Sequence, residues 1–228
     1  MSTIAANIST LEQRIRTAAL VAHRDPASVG LLAVSKTKPA SDLREAHADG
    51  LRDFGENYLQ EALSKQVELA DLPLCWHFIG PIQSNKTRAI AENFSWVHSV
   101  DRLKIAQRLS EQRPEGLEPL NLCIQVNVSG EASKSGCTPQ DLPQLAAAVM
   151  ALPRVKLRGL MAIPEPTEDP AAQAAAFATV RTLQESLNLE LDTLSMGMSH
   201  DLEAAIAQGA TWVRIGTALF GARDYGQP

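Results

Sequence analysis

Short apolar runs alternating with helix-patterned stretches constrain this chain more than any other feature. Eight runs stand at 31–36, 52–55, 75–80, 96–100, 120–128, 157–163, 193–196 and 211–216. Each has the length of a buried strand rather than of a helix. Between them, apolar residues recur at helical spacing: Leu59, Leu63, Val67 and Ala70; Leu142, Leu145, Ala146, Val149 and Leu152; Phe177, Val180, Leu183 and Leu187. A further stripe, Ile4, Ile8, Leu11, Ile15 and Ala18, precedes the first run and predicts a leading helix. Thr138-Pro139-Gln140-Asp141 reads as a helix start, with Thr138 as cap and Pro139 at the first helical position. Gly50 and Gly209 stand where helices would end in the left-handed conformation.

Strands joined through helices run parallel, because a parallel pair needs a crossover connection. Eight such units predict an α/β fold, a single (β/α)8 TIM-type barrel with an extra N-terminal helix. An open doubly wound sheet is the alternative, since one misread run would leave seven strands. No Gly-x-Gly-x-x-Gly follows the first run, which argues against a dinucleotide-binding half. No Pro-, Gly- or Ser-rich stretch is long enough to separate two domains. Residues 1–228 therefore read as one domain, a leading helix over 1–24 and a barrel over 30–224. The segment 164–170 reads as a long loop after the sixth strand.

Composition narrows the function. The 228 residues are 45% hydrophobic, enough for one core without disulfides or structural metals. Cys75, Cys123 and Cys137 are odd in number and widely spaced, which fits neither a disulfide framework nor a zinc site. Cys75 and Cys123, in apolar runs, read as small buried hydrophobes, and a reducing compartment is expected. With 26 acidic against 21 basic residues, the chain is no general nucleic-acid binder. No apolar run reaches the roughly 20 residues of a membrane helix. No signal peptide opens the chain, so the cytoplasm is the expected compartment.

In such a barrel the chemistry gathers at the C-terminal ends of the strands. The first run closes on Lys36. A strand-end lysine can reach solvent along its flexible stem. A partly desolvated amine near a second cation, such as Lys38, instead has a lowered pKa and attacks carbonyls. The second run leads to Gly55 and Asn57, the latter a ligand contact or a helix cap. The third carries His77 between Trp76 and Phe78, a core or pocket residue with no acidic partner at fixed spacing. The fifth runs into a polar, small-residue loop that contains Lys134 and reads as a lid. The last two end in Ser195-Met196-Gly197-Met198-Ser199 and Arg214-Ile215-Gly216-Thr217. Gly, Ser and Thr at helix starts after strands seven and eight form a phosphate cup. Arg214 either pairs inside the barrel or stands as a fixed cation beside that cup. An amine across the mouth from a phosphate site suggests pyridoxal 5′-phosphate, whose aldehyde needs the one and whose phosphate needs the other.

Six ordered segments carry a resemblance that covers essentially the whole chain. They are Ala33-Val34-Ser35-Lys36, Phe54-Gly55-Glu56-Asn57-Tyr58, Trp76-His77-Phe78-Ile79-Gly80-Pro81-Ile82-Gln83-Ser84-Asn85-Lys86, Leu160-Met161-Ala162-Ile163-Pro164, Ser195-Met196-Gly197-Met198-Ser199 and Val213-Arg214-Ile215-Gly216-Thr217. Through them the chain resembles the YggS/PROSC-type pyridoxal phosphate homeostasis proteins. The resemblance implies a single barrel similar to that of bacterial alanine racemases, with pyridoxal 5′-phosphate as cofactor. It implies Lys36 as the Schiff-base lysine and Ser199, Gly216 and Thr217, with Met198 beside them, as the phosphate cup. It also implies Arg214 facing the pyridine nitrogen and Asn57 and His77 lining the pocket. Relatives often carry an acidic residue where this chain has His200.

An arginine cannot accept a proton from the ring nitrogen, and its charge opposes ring protonation. The ring is then a weak electron sink. Racemases of this type add a tyrosine from a second domain as the opposite acid–base. This chain ends at Pro228, and its only tyrosines are Tyr58 and Tyr225. The expectation is a non-catalytic, monomeric carrier that holds pyridoxal phosphate and delivers it to apoenzymes, with no nucleic-acid or membrane partner. A racemase-like enzyme is the alternative. An aldolase-type enzyme using Lys36 on a sugar phosphate is a distant third. Lys134 is expected at the barrel mouth, as a solvated loop lysine or a transient second amine.

Overall fold

In the computed structural model, which describes residues 3–130 and 135–222, every predicted run contains a strand. The strands are β1 (Gly30–Val34), β2 (Asp53–Glu56), β3 (Cys75–Phe78), β4 (Trp96–Val100), β5 (Leu120–Gln125), β6 (Val155–Met161), β7 (Thr193–Ser195) and β8 (Trp212–Ile215). All pair in parallel, in sequence order, and β1 pairs with β8 to close the barrel. The open sheet is thereby excluded. Register brings the functional ends together: Ala33 lies beside Ile215 on one side and Phe54 on the other, and Val34 beside Gly55. Lys134 and Tyr225 lie outside the described residues.

The helices are α1 (Thr3–Val21), α2 (Ala40–Ala48), α3 (Leu59–Glu68), α4 (Thr87–Asn93), α5 (Leu103–Gln112), α6 (Leu142–Met150), α7 (Pro170–Ser186), α8 (Leu202–Ala207) and α9 (Thr217–Phe220). The helix after β8 is thus a single turn. The leading helix α1 fills the remaining place in the outer ring, packed on α8, α9 and α2. Its predicted stripe, Ile4, Ile8, Leu11, Ile15 and Ala18, is buried. Polar bonds fix its ends. Asn7 Nδ2 donates to Leu219 O at 2.9 Å, and Arg24 Nη1 donates to the carbonyls of Ile206 and Ala210 at 2.8 Å each. The helix expected as an extra is therefore a structural member of the barrel.

Two local readings need correction. In α3 the buried face is Leu59, Ala62 and Lys65, while Val67 is 79% exposed. Two oxygens, Ser35 O and Glu56 Oε1, wait beneath the helix for an amine, so a lysine displaces a valine from the inner face. In α6 the regular helix begins at Leu142, after Thr138. The N–H groups of Asp141 and Leu142 both close on Thr138 O, a tight turn that delays the helical ladder. Gly50 and Gly209 do terminate helices, each at φ +99°. The three cysteines are free.

Candidate cofactor site

Residues on both sides of Lys36 are clamped. Ser35 Oγ donates to Glu56 Oε1 at 2.6 Å, and Lys65 Nζ donates to Ser35 O and to Glu56 Oε1 at 2.7 Å each. Thr37 adopts a left-handed φ of +65° while its N–H donates to Glu61 Oε1 at 2.6 Å. Lys65 also reaches Glu61, at 2.5 Å. Burial pushes the Glu56 carboxyl up from its usual range, opposed by the adjacent Lys65. Lys38, read as a second cation near the amine, instead donates to Phe220 O and Ala222 O at 3.0 and 2.8 Å, tying the segment after β1 to the end of α9. Nothing in the sequence pattern announced the Glu56–Lys65–Glu61 cluster, because its members belong to two elements.

Asn57 follows β2 and abuts the end of β3. A Cβ on Gly80 would lie 2.3 Å from Asn57 O, so only glycine allows this approach. Gly197, at φ +95°, turns the chain after β7. There Asp201 Oδ1 accepts the Met198 N–H at 2.6 Å, and Ser199 O accepts from Arg14 Nη2 at 3.2 Å. Gly216 caps α9, whose first closing bonds come from Leu219 and Phe220. The amides of Thr217 and Ala218 therefore precede the helical ladder, as the first amides of any helix do.

Arg214 is a buried cation. Its Nη1 donates to Ser195 O at 2.5 Å and to Ser195 Oγ at 2.9 Å, and its Nη2 to Ala162 O at 2.9 Å. Burial pushes its pKa down to about 10, which leaves it charged at neutral pH.

These elements converge on a cavity of about 240 Å³ at the C-terminal ends of the strands. Lys36, Asn57, Met198, Ser199, Arg214, Gly216 and Thr217 all line it, joined by Val34, Ile79, Ile163 and His200. His77 does not. It is fully buried within the barrel, with Nε2 3.0 Å from Asp53 Oδ1 and Nδ1 2.9 Å from His98. The acidic partner that no fixed spacing revealed comes from the neighbouring strand, since Asp53 pairs in register with Cys75. Burial lowers the pKa of His77 and keeps it neutral.

The donor set suits an anionic ligand that carries a carbonyl. Lysine, arginine and two hydroxyls face the cavity, and among the described residues no carboxylate lines it. The buried Oδ1 of Asn57 has no hydrogen-bond partner among the described residues, a cost of about 1–3 kcal/mol that a ligand's donor would offset.

A parallel barrel of this topology, with its lysine at the end of the first strand, is of the alanine racemase N-terminal domain class, and the profile of that family matches residues 1–224. The chain is 78% identical over 228 residues to the pyridoxal phosphate homeostasis protein of Pseudomonas aeruginosa, covering 100% of this chain and 99% of that one. It is 53% identical over 235 residues to the protein of the same name from Escherichia coli, covering 99% of each. Among solved structures, PipY of Synechococcus elongatus with pyridoxal phosphate bound superposes with a TM-score of 0.85 at 43% identity, covering 96% of this chain and 100% of that one. The chain belongs to the YggS/PROSC-type family of pyridoxal phosphate homeostasis proteins, the family its six segments resemble.

Proposed function

We propose that this chain binds pyridoxal 5′-phosphate at the mouth of its barrel and serves as an intracellular carrier of it. The observation that carries this reading is the convergence of Lys36, Ser199, Arg214, Gly216 and Thr217 on one cavity. When bound, the cofactor supplies an aldehyde, which an uncharged amine converts to a Schiff base with loss of water. Lys36 is the amine within reach. Ser199, Thr217 and the first amides of α9 receive the phosphate. Arg214, locked by two carbonyls and a hydroxyl, presents a fixed positive charge to the ring.

Delivery rather than catalysis fits the lining. Arg214 keeps its proton at neutral pH and cannot accept one from the ring. Among the described residues no tyrosine lines the cavity, and Tyr58 is half exposed beside a neighbouring one. The open strand-end face leaves the bound group accessible for transfer to apoenzymes. The protein is read as a cytoplasmic monomer, and no described helix is long and apolar enough to cross a membrane.

Borohydride reduction of the cofactor-loaded protein, followed by peptide mass analysis, should place the modification on Lys36. Lys36→Ala should lose both the modification and the visible absorbance. Modification at another lysine, or absorbance retained in Lys36→Ala, would refute the assignment. Solvent hydrogen exchange at the α-carbon of L-amino acids should stay at the level of free cofactor. Clear turnover would return the racemase-like reading.

A further inference from the structure

Beneath the cofactor cavity, one file of hydrogen bonds crosses the inside of the barrel. Arg214 Nη1 donates to Ser195 Oγ at 2.9 Å. Ser195 Oγ lies 2.7 Å from His98 Nδ1, His98 Nε2 lies 2.9 Å from His77 Nδ1, and His77 Nε2 lies 3.0 Å from Asp53 Oδ1. Ser195, His98 and His77 are fully buried. Asp53 is 31% exposed and lines a separate cavity with Gly30 and Trp212. Those three residues open β2, β1 and β8, so the file ends on the N-terminal face of the barrel, opposite the cofactor cavity.

The chemistry of the groups favours one arrangement of protons. An ionised carboxylate only accepts, so His77 Nε2 carries hydrogen. A neutral imidazole has one donor and one acceptor, so His77 Nδ1 accepts and His98 Nε2 donates. His98 Nδ1 then accepts from the Ser195 hydroxyl, whose oxygen is left to receive Arg214. Burial keeps both rings neutral, and the charge of Arg214 adds to this for His98. The Cys75 sulfur, 3.4 Å from His77 Nε2, adds no competing anion, because burial and Asp53 push its pKa up to about 12. Stacking on Trp96, with the planes 4° apart, fixes the His77 ring.

The reverse arrangement is worse. If His98 Nδ1 donated, Ser195 Oγ would receive two donors and its own hydrogen would have no acceptor in the file. The orientation of the hydroxyl that Arg214 uses is therefore set at Asp53. No carboxylate lies within hydrogen-bonding distance of Arg214 among the described residues; Asp201 acts on it through space, and this file is its hydrogen-bonded link to a carboxylate.

We infer that Asp53, His77, His98 and Ser195 form a hydrogen-bond relay of single polarity that positions the Arg214 guanidinium from the opposite face of the barrel. The relay rests on the cofactor reading only for the use to which Arg214 is put. The four are positioning residues and touch no ligand.

Imidazole nitrogen NMR on the isotopically labelled full chain, without cofactor, tests the relay directly. Both rings should be neutral with hydrogen on Nε2. In Asp53→Asn the amide can accept or donate, so His98, two strands away, should lose its single tautomer. That substitution should also move the Arg214 N–H resonances, and Ser195→Ala should abolish this transmission. Hydrogen on Nδ1 of either ring in the unsubstituted protein overturns the relay. A metal ion held by Asp53, Cys75 and His77 Nε2, whose donor atoms lie within 4.8 Å of one another, would produce that result at His77. A His98 tautomer indifferent to Asp53→Asn also overturns it. With pyridoxal phosphate added, the absorbance band should shift in Asp53→Asn while Lys36 remains the modified residue. An unshifted band refutes the relay's reach into the cavity. An unmodified Lys36 in the unsubstituted chain refutes the cofactor reading and leaves the tautomer result standing.

Discussion

Lys65 shows what a single buried charge does for this site. Its side chain is 5% exposed, and it donates to Glu56, whose side chain is fully buried, to Glu61 and to the carbonyl of the residue before Lys36. Removing one partner of a buried pair leaves the other charge uncompensated, typically at about 3–5 kcal/mol. Lys65→Met should lose that much stability in urea unfolding at neutral pH. The loss should shrink in mild acid. Glu56 has its pKa raised by burial, so it binds its proton more tightly folded than unfolded, and stability is kept at low pH and lost as the pH rises. An equal loss at both pH values would show that Glu56 is not the stranded group. The histidines act in the opposite direction. His77 and His98 have lowered pKa values, so below the ordinary value of 6.5 the unfolded chain binds protons that the folded chain refuses. Stability should fall as pH drops through 6.5, by up to about 1.4 kcal/mol per pH unit for each ring. His98→Gln should halve that slope in urea unfolding followed against pH, and an unchanged slope would remove His98 from the account. None of this was legible beforehand. Periodicity put Val67 on the inner face of α3, because it ranks residues by hydropathy and cannot see oxygens supplied by β1 and β2. The resemblance, not periodicity, placed His77 in the pocket; Asp53 and His98 hold it inside the barrel, the core position that its alternation with apolar neighbours allowed.

At the scale of elements, strand ends place the site and glycines set how closely those ends approach. Most of this could be read in advance: each apolar run holds a strand, and seven of the eight candidate residues line one cavity. The (β/α)8 architecture itself explains why. Once parallel strands close in sequence order, every strand's last residue faces the same mouth. Distances between elements were not readable, because they depend on side chains omitted as much as on those present. Gly80 is the sharpest case. A methyl there would meet Asn57 O at 2.3 Å and Asn57 Cα at 2.7 Å, so β2's end and β3's end would have to separate. Overpacking of this kind costs about 1–3 kcal/mol, which a barrel of this size should survive. Gly80→Ala should therefore fold with a lowered melting temperature and bind pyridoxal phosphate several-fold more weakly, because Asn57 moves out of the cavity wall. Isothermal titration against the unsubstituted chain checks this. Unchanged affinity would mean that Asn57 does not contact the ligand.

At the scale of the whole molecule, chain order and ring order are offset by one helix. A (β/α)8 barrel wants a full helix after each strand, yet the one after β8 is a single turn. The ring is completed by α1, which the chain makes first. Its N-terminal end lies at the end of β8's turn, where Asn7 bonds Leu219 O, and its C-terminal end leads into β1. In space the order is β8, α9, α1, β1. Removing residues 1–24 should uncover the faces of α2 and α8 and forfeit the burial of Ile4, Ile8, Leu11 and Ile15, each worth roughly 1.5–3 kcal/mol when fully buried. Together they come to roughly 6–12 kcal/mol, comparable to the whole stability of a domain at about 5–15 kcal/mol, so the truncated chain should lose its cooperative fold. Moving the same residues to the other end is a different perturbation. A permutant that begins at Asp25, runs through Pro228 and continues by a short flexible linker into Met1–Arg24 keeps α1 in the ring and cuts only the turn before β1. It should give the circular dichroism of the natural order and lie within about 2 kcal/mol of it, since new ends at an exposed turn are well tolerated. A permutant as unstable as the truncation would mean that the connection from α1 into β1, and not the seat of α1 between α8 and α2, is what the barrel requires.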